Sequence, residues 1–328
     1  MVFIVLFIIA FLQLRDRHPG YSLDIQISNS PSELSAGFAA VDITPDIIDT
    51  WNDVNGDSRY NPDDGDTYND QNSNGQFDAY WIAGFQNSRP ANGIHDKIWS
   101  RTMVLDDGQS RIALVALDVI GFGNDDVIDV RKLLPESAGI DYTIITSTHS
   151  HEGPDLLGLW GPSYFKSGIN SEYMALVKRR IVTSISTAVN KLRPATLRFA
   201  QDYDSARNLV TDSRQPLVKD PGIRLMQVLD SAADTTLGVL FAWGNHPETL
   251  WSRNLQITSD FPHYVREGLE QGVRDHDGEV VTEGFGGIAL YMNGAIGGLM
   301  TSDPDFPIHD PFKDTSYTAA SWDKARAQ

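Results

Sequence analysis

Two histidines one residue apart, His149 and His151, stand in the segment Thr146-Ser147-Thr148-His149-Ser150-His151-Glu152-Gly153-Pro154-Asp155. A third, His246, stands in Gly244-Asn245-His246-Pro247-Glu248-Thr249. Each group follows a short strand-like run, Asp141 to Ser147 and Gly238 to Trp243. In α/β sheets ligands bind at the carboxyl ends of strands, so both groups fall where a site forms. If strand geometry continues briefly past Ser147, His149 and His151 point to one side and both imidazoles face one ion or one substrate. The His-x-His spacing leaves two readings open, a metal site and an ordinary polar loop. A lone histidine such as His246 is more often a hydrogen-bonded structural residue, but the repeated arrangement of strand then histidine favours convergence. Asp118, near the end of the run Arg111 to Ile120, is a third polar residue at a strand end. It is a ligand, an acceptor that fixes a histidine tautomer, or a cap on the next turn. His95, in Gly93-Ile94-His95-Asp96, either lines the same cleft or is an ordinary loop histidine.

Several other chemistries are excluded. The chain has no cysteine, which removes disulfides, thiolate metal sites and cysteine nucleophiles. No G-x-S-x-G elbow occurs, so nothing supports a serine triad. A net charge of -18 repels phosphate backbones and argues against a nucleic-acid partner.

The stretch from Trp51 to Asp78 holds seven aspartates against one basic residue, Arg59. Asp70, Asn72 and Asn74 precede Gly75 with calcium-loop spacing, and Asp78 follows. Asp53, Asn55 and Asp57, with Asp64 at the closing position, form a second set. Two departures stand out: the closing position of the first set is Trp81, and the second set has Ser58 where a glycine is usual. The expectation is one or two Ca²⁺ ions folding this insertion; the competing reading is a solvated, flexible acidic loop.

These residues need elements to position them. The segment Ala36 to Pro45 alternates like a strand and opens the folded domain. Arg111 to Ile120, a helix over Asp125 to Leu134, and Asp141 to Ser147 make a β-α-β pattern. Glu172 to Leu192 is a long amphipathic helix, and Thr196 to Phe199, Ile223 to Leu229 and Gly238 to Trp243 are strands. A helix over Pro262 to Gln271 precedes a strand over Gly287 to Tyr291. The expected fold is α/β, a layered mixed sheet flanked by helices, with the site at strand carboxyl ends. Residues 36–328 form one domain, and Tyr317 to Gln328 reads as a helix that has barely started, which predicts a domain that continues. Residues 1–35 are an apolar run, Met1 to Leu14, and a connector, Ser28 to Ser35. The run predicts an export signal or a short membrane anchor, and hence an extracytoplasmic protein; a buried helix or strand is the alternative.

Taken together, the motifs resemble the N-terminal catalytic domain of the neutral/alkaline non-lysosomal ceramidases. The segment Ala36 to Thr44 is similar to that family's strand running into D-I-T. Gly93-Ile94-His95 and Trp99-Ser100-Arg101 resemble its G-I-H segment and the strand after it, and Asp118 its strand-ending aspartate. Thr148 to Pro154 resembles T-H-T-H-S-G-P, and Phe241 to His246 resembles F-x-x-H but is two residues longer. Ser259-Asp260 matches a serine-aspartate turn before a helix. The resemblance implies a zinc amidase of N-acylsphingosine type in which His149 and His246 hold zinc and a zinc-activated water attacks the amide carbonyl. His151 would bind substrate or assist proton transfer, and the family's further ligands, a Glu and a Tyr, would lie beyond Gln328. Two departures bear on substrate: Met300-Thr301 stands where the family loop carries a serine, and Leu209 follows Arg207-Asn208 in place of an arginine. Met300 and Thr301 are therefore expected at the substrate. The implied partner is a ceramide-like lipid, reached at a membrane surface. Two other readings remain: a calcium-stabilised, catalytically inactive surface binding protein of the same fold, and a hydrolase with a non-ceramide substrate.

Overall fold

A computed structural model of the chain describes residues 15–24, 33–297, 300–303 and 305–328. Its frame is one sheet of eight strands: β1 (Ser35–Asp42), β2 (Trp99–Asp106), β3 (Arg111–Leu117), β4 (Tyr142–Ser147), β5 (Arg193–Asp202), β6 (Ile223–Asp230), β7 (Thr236–Trp243) and β8 (Ile288–Asn293). Their order is β8-β7-β6-β5-β1-β2-β3-β4. The sheet is mixed: β3 and β4 run parallel, as do β7 and β8, and the other pairs are antiparallel.

The two halves of the sheet are joined only where Ser35 faces Pro194 and Ala36 faces Arg193. Beyond that narrow join the sheet doubles over, and β8 lies against β2, β3 and β4. Between the halves sits an apolar layer that includes Phe38, Met103 and Leu114 from one and Val228, Leu240 and Leu290 from the other. The alternate residues face outward. Val104 and Val115 pack under helix α2 (Ser171–Val189), and Phe241 and Tyr291 pack with Phe261 of helix α3 (Phe261–Gln271). The result is a helix, sheet, sheet, helix stack. Strand β3, packed on both faces, reads as a continuous apolar run, whereas β5 is exposed over most of its length.

Gly37 shows how closely α2 is seated. A Cβ there would stand 2.1 Å from the carbonyl oxygen of Ala188, so only glycine allows the approach. The start of α2 is fixed by Asn170, whose side chain accepts from the amides of Glu172 and Tyr173. Helix α1 (Asn124–Leu133) packs on α2 and carries Asp125 and Asp126 in its first turn. Arg17 pairs with Asp125, Asp126 and Asp129 of α1, which ties the residues before the domain to it.

The fold class expected from sequence is the one observed. The strand expected over Thr196 to Phe199 is longer, as β5, and the strand expected to run to Ile120 ends at Leu117. Met1 to Leu14, on which the export reading falls, and most of the Ser28 to Ser35 connector lie outside the described residues. Among the described residues no helix is long and apolar enough to cross a membrane.

Candidate metal centre

The parallel pairs β3/β4 and β7/β8 end on register partners, Leu117 with Ser147 and Trp243 with Asn293. The loops that follow β4 and β7 carry the three histidines, and folding the sheet brings the loops together. Asn293, at the end of β8, clamps them: its Nδ2 donates to the carbonyls of Thr148 and Asn245, at 2.9 and 3.1 Å. Those are the residues just before His149 and His246.

The ring centroids are 5.1 Å apart for His149 and His151, 4.9 Å for His149 and His246, and 5.6 Å for His151 and His246. One ligating atom of each lies within 4.8 Å of the others, and no other such group of three or more His, Cys, Asp or Glu occurs among the described residues. The route to this meeting differs from the expected one. His149 does not continue the pleat of β4 but sits in the left-handed region, with φ 67°. A non-glycine residue there costs energy, and the surrounding hydrogen bonds hold it. Its amide donates to the carbonyl of Val119, and that of His151 donates to the carbonyl of Pro247.

His149 Nδ1 lies 2.7 Å from the Ile120 carbonyl and His246 Nδ1 lies 2.6 Å from the Met300 carbonyl. Because a carbonyl only accepts, each imidazole carries its proton on Nδ1 and leaves Nε2 with a lone pair. Both ring nitrogens of His151 are buried without a hydrogen-bond partner, although Glu248 Oε2 comes within 3.1 Å of Nδ1. Burial lowers the pKa of all three, and His151 is held well below the usual value, by burial first and then by the other two imidazoles and Arg89. Neutral imidazoles with free nitrogens turned together are the form that binds a metal.

Around the triad stand groups to which the sequence reading gave no role. Burial raises the carboxyl of Glu248 to about 7 despite the Thr301 hydroxyl that donates to it. Arg89 donates through Nη2 to the carbonyls of Ala83 and His151, at 2.6 and 2.5 Å, and its Nη1 lies 3.5 Å from Glu152. Burial pushes the Glu152 carboxyl well up even beside that guanidinium. Phe85 sets its ring edge-on to His151 at 5.0 Å. The only sequence signal for the two glutamates was adjacency, since Glu152 follows His151 and Glu248 lies two residues past His246.

The other expected site residues go elsewhere. Asp118 does not set a histidine tautomer, which backbone carbonyls do. Its carboxylate takes a bidentate pair from Arg266, at 2.7 and 3.0 Å, and the Trp99 amide at 2.9 Å. His95 stacks on Trp322 with centroids 3.6 Å apart and lies 3.1 Å from Asp96, outside the triad. Met300 is buried among Phe241, Trp243 and Tyr291, and Thr301 bonds Glu248, so both support His246 and Glu248 rather than line an open cleft.

In the acidic insertion the oxygens close turns. Asp53 accepts from the amides of Gly56, Asp57 and Ser58, and Asn55 and Asp57 bond each other. Asp64 accepts from Asn61 Nδ2. Asp70 accepts from the amides of Asn74 and Gly75, while the Nδ2 groups of Asn72 and Asn74 donate to Asp78. The segment is a loop whose turns are closed by its own side chains.

The fold is similar to that of neutral ceramidase from Pseudomonas aeruginosa, with a TM-score of 0.61 and 17% identity over 82% of this chain and 39% of that one. It is also similar to a ceramidase complexed with C2, with a TM-score of 0.63 and 16% identity over 90% of this chain and 42% of that one. The chain thus spans well under half the length of either structure. Residues 74–297 match the family model for the neutral/alkaline non-lysosomal ceramidase N-terminal domain, and the chain belongs to that family.

Proposed function

We propose that the protein is an exported zinc-dependent hydrolase that cleaves the amide bond of a ceramide-like N-acyl lipid. The observation that carries this is the buried meeting of His149, His151 and His246, with two Nδ1 atoms fixed by carbonyls and the His151 nitrogens unpartnered. The lone pairs that His149 and His246 keep on Nε2 fit zinc, which favours neutral imidazole. His149 and His246 would hold the ion through Nε2. A bound zinc supplies a Lewis acid for a carbonyl oxygen and lowers the pKa of water to about 7.

The chain's own residues then orient and move protons. His151, backed by Glu248, would accept a proton from the attacking water and return it to the leaving nitrogen. Arg89 holds the His151 carbonyl and so fixes its position. Met300 holds His246 through its backbone oxygen, a contact that does not depend on its side chain. The three histidines that could hold a metal are all present, so the inactive-binder reading is not favoured.

The test is zinc content of the purified full chain together with hydrolysis of a fluorescent N-acylsphingosine. One zinc per chain, lost in His149→Ala with His246→Ala, is the expected result. His151→Ala should retain zinc and lose turnover. A protein that takes up no zinc, or a double variant that keeps it, would end this reading.

A further inference from the structure

Asp155 opens a loop that the proposed chemistry does not use. Its carboxylate accepts from the amides of Leu157, Gly158 and Trp160 at 2.9, 2.9 and 3.1 Å. Trp160 Nε1 donates to the carbonyl of Phe85, the residue whose ring meets His151. At the neck of the loop, a Cβ on Gly161 would stand 2.0 Å from the Lys166 carbonyl, and one on Gly168 would stand 1.8 Å from the Trp160 carbonyl. The loop is therefore braced against itself and held at a fixed place relative to the histidines.

Its tip is apolar. Tyr164 and Phe165 occupy the centre of a turn closed between Ser163 and Lys166, and they are 82% and 92% exposed; Leu159 is 64% exposed. A braced loop that holds two aromatic rings and a leucine in water is built for a partner surface. A second observation bears on the kind of partner. Leu157 and Ile169 of the same loop line one cavity with Arg15, Arg17 and Tyr21. Those residues follow directly on Met1 to Leu14, the most apolar stretch of the sequence, which itself lies outside the described residues.

We infer that the Leu157 to Ile169 loop is a bilayer-docking surface, with Tyr164 and Phe165 entering the interface and Lys166 at headgroup level. Aromatic side chains flanked by a lysine suit the boundary between acyl chains and headgroups. The apolar run Met1 to Leu14 joins the described chain at Arg15, which lines the same cavity as Leu157 and Ile169. The inference rests on the lipid-hydrolase reading only in explaining why such a surface adjoins the histidines.

The absence of cysteine makes the test direct. Phe165→Cys and, separately, Phe199→Cys, a ring 73% exposed on β5, are labelled with an environment-sensitive fluorophore in the full chain. Each is mixed with phosphatidylcholine–phosphatidylglycerol vesicles carrying a nitroxide in the acyl region and no N-acyl lipid. Quenching several-fold stronger at 165 than at 199 is expected. Quenching at 165 that is absent, or no stronger than at 199, overturns the inference. Since these vesicles hold no substrate and zinc is measured in parallel, failure of the hydrolase reading registers separately, as lost zinc or lost turnover.

Discussion

Gly84 lies flat against His151. A Cβ built on it would stand 2.6 Å from both Cβ and Cγ of the histidine and 2.8 Å from Nδ1, and its φ of +117° is one that side chains rarely adopt. Gly84→Ala therefore has to displace His151 while leaving the carbonyls that hold His149 and His246 in place. We expect zinc to remain bound and turnover to fall about 100-fold, the scale of a 1 Å misplacement of a reacting group. Zinc stoichiometry measured beside kcat checks this, and unchanged kcat would remove His151 from the chemistry.

Asn293 is expected to matter to the metal rather than to turnover as such. Its amide is the shared donor to Thr148 and Asn245, so Asn293→Ala frees both histidine loops at once. Zinc affinity should fall by about 10–100-fold, the usual cost of losing a group that orients metal ligands. Competition with a chromophoric chelator gives the value, and wild-type affinity would show that the loops hold themselves.

Arg266 should carry stability. It lies almost wholly buried against Asp118, which engages its Nη1 and Nη2, and Arg101 pairs nearby with Glu270. Arg266→Ala leaves the Asp118 carboxylate buried without its ion-pair partner, at a cost of about 3–5 kcal/mol. Urea unfolding reads this as a lower midpoint at similar slope, and a loss under about 1 kcal/mol would mean that Asp118 finds water or protonates instead.

The strands and helices were legible because each is a run of one periodicity between turn residues, and β4 and β7 sit where the histidine motifs placed them. What could not be read was long range. No local pattern shows that the sheet folds over on the Ser35 to Pro194 join, and that fold is what carries His246 to His149. The role of Asp118 was hidden for the same reason, since its partner Arg266 is 148 residues away. His149 misled in a different way. Alternation predicted its direction, yet a left-handed backbone turn supplies it, and nothing in a Thr-His-Ser sequence announces a positive φ.

Asp260 gives a pH dependence with a definite sign. It caps α3, is fully buried, and accepts from the amides of Phe261 and Leu250 at 2.6 and 3.2 Å. Burial raises its carboxyl from 3.8 to about 6, with Asp96 adding to the shift, and the amide hydrogen bonds offset only part of it. Between about pH 4 and about pH 6 the native protein therefore keeps a proton that the unfolded chain has released. Proton binding that favours the native state makes stability fall as pH rises through that window, by up to roughly 1.4 kcal/mol per pH unit for one proton. Asp260→Asn keeps only one of the two accepting oxygens, which lowers its stability by an amount independent of pH, but it cannot titrate, so its stability should lack this slope. Unfolding midpoints for both proteins across pH 4 to 7 decide it: parallel curves would place the Asp260 carboxyl near its ordinary value.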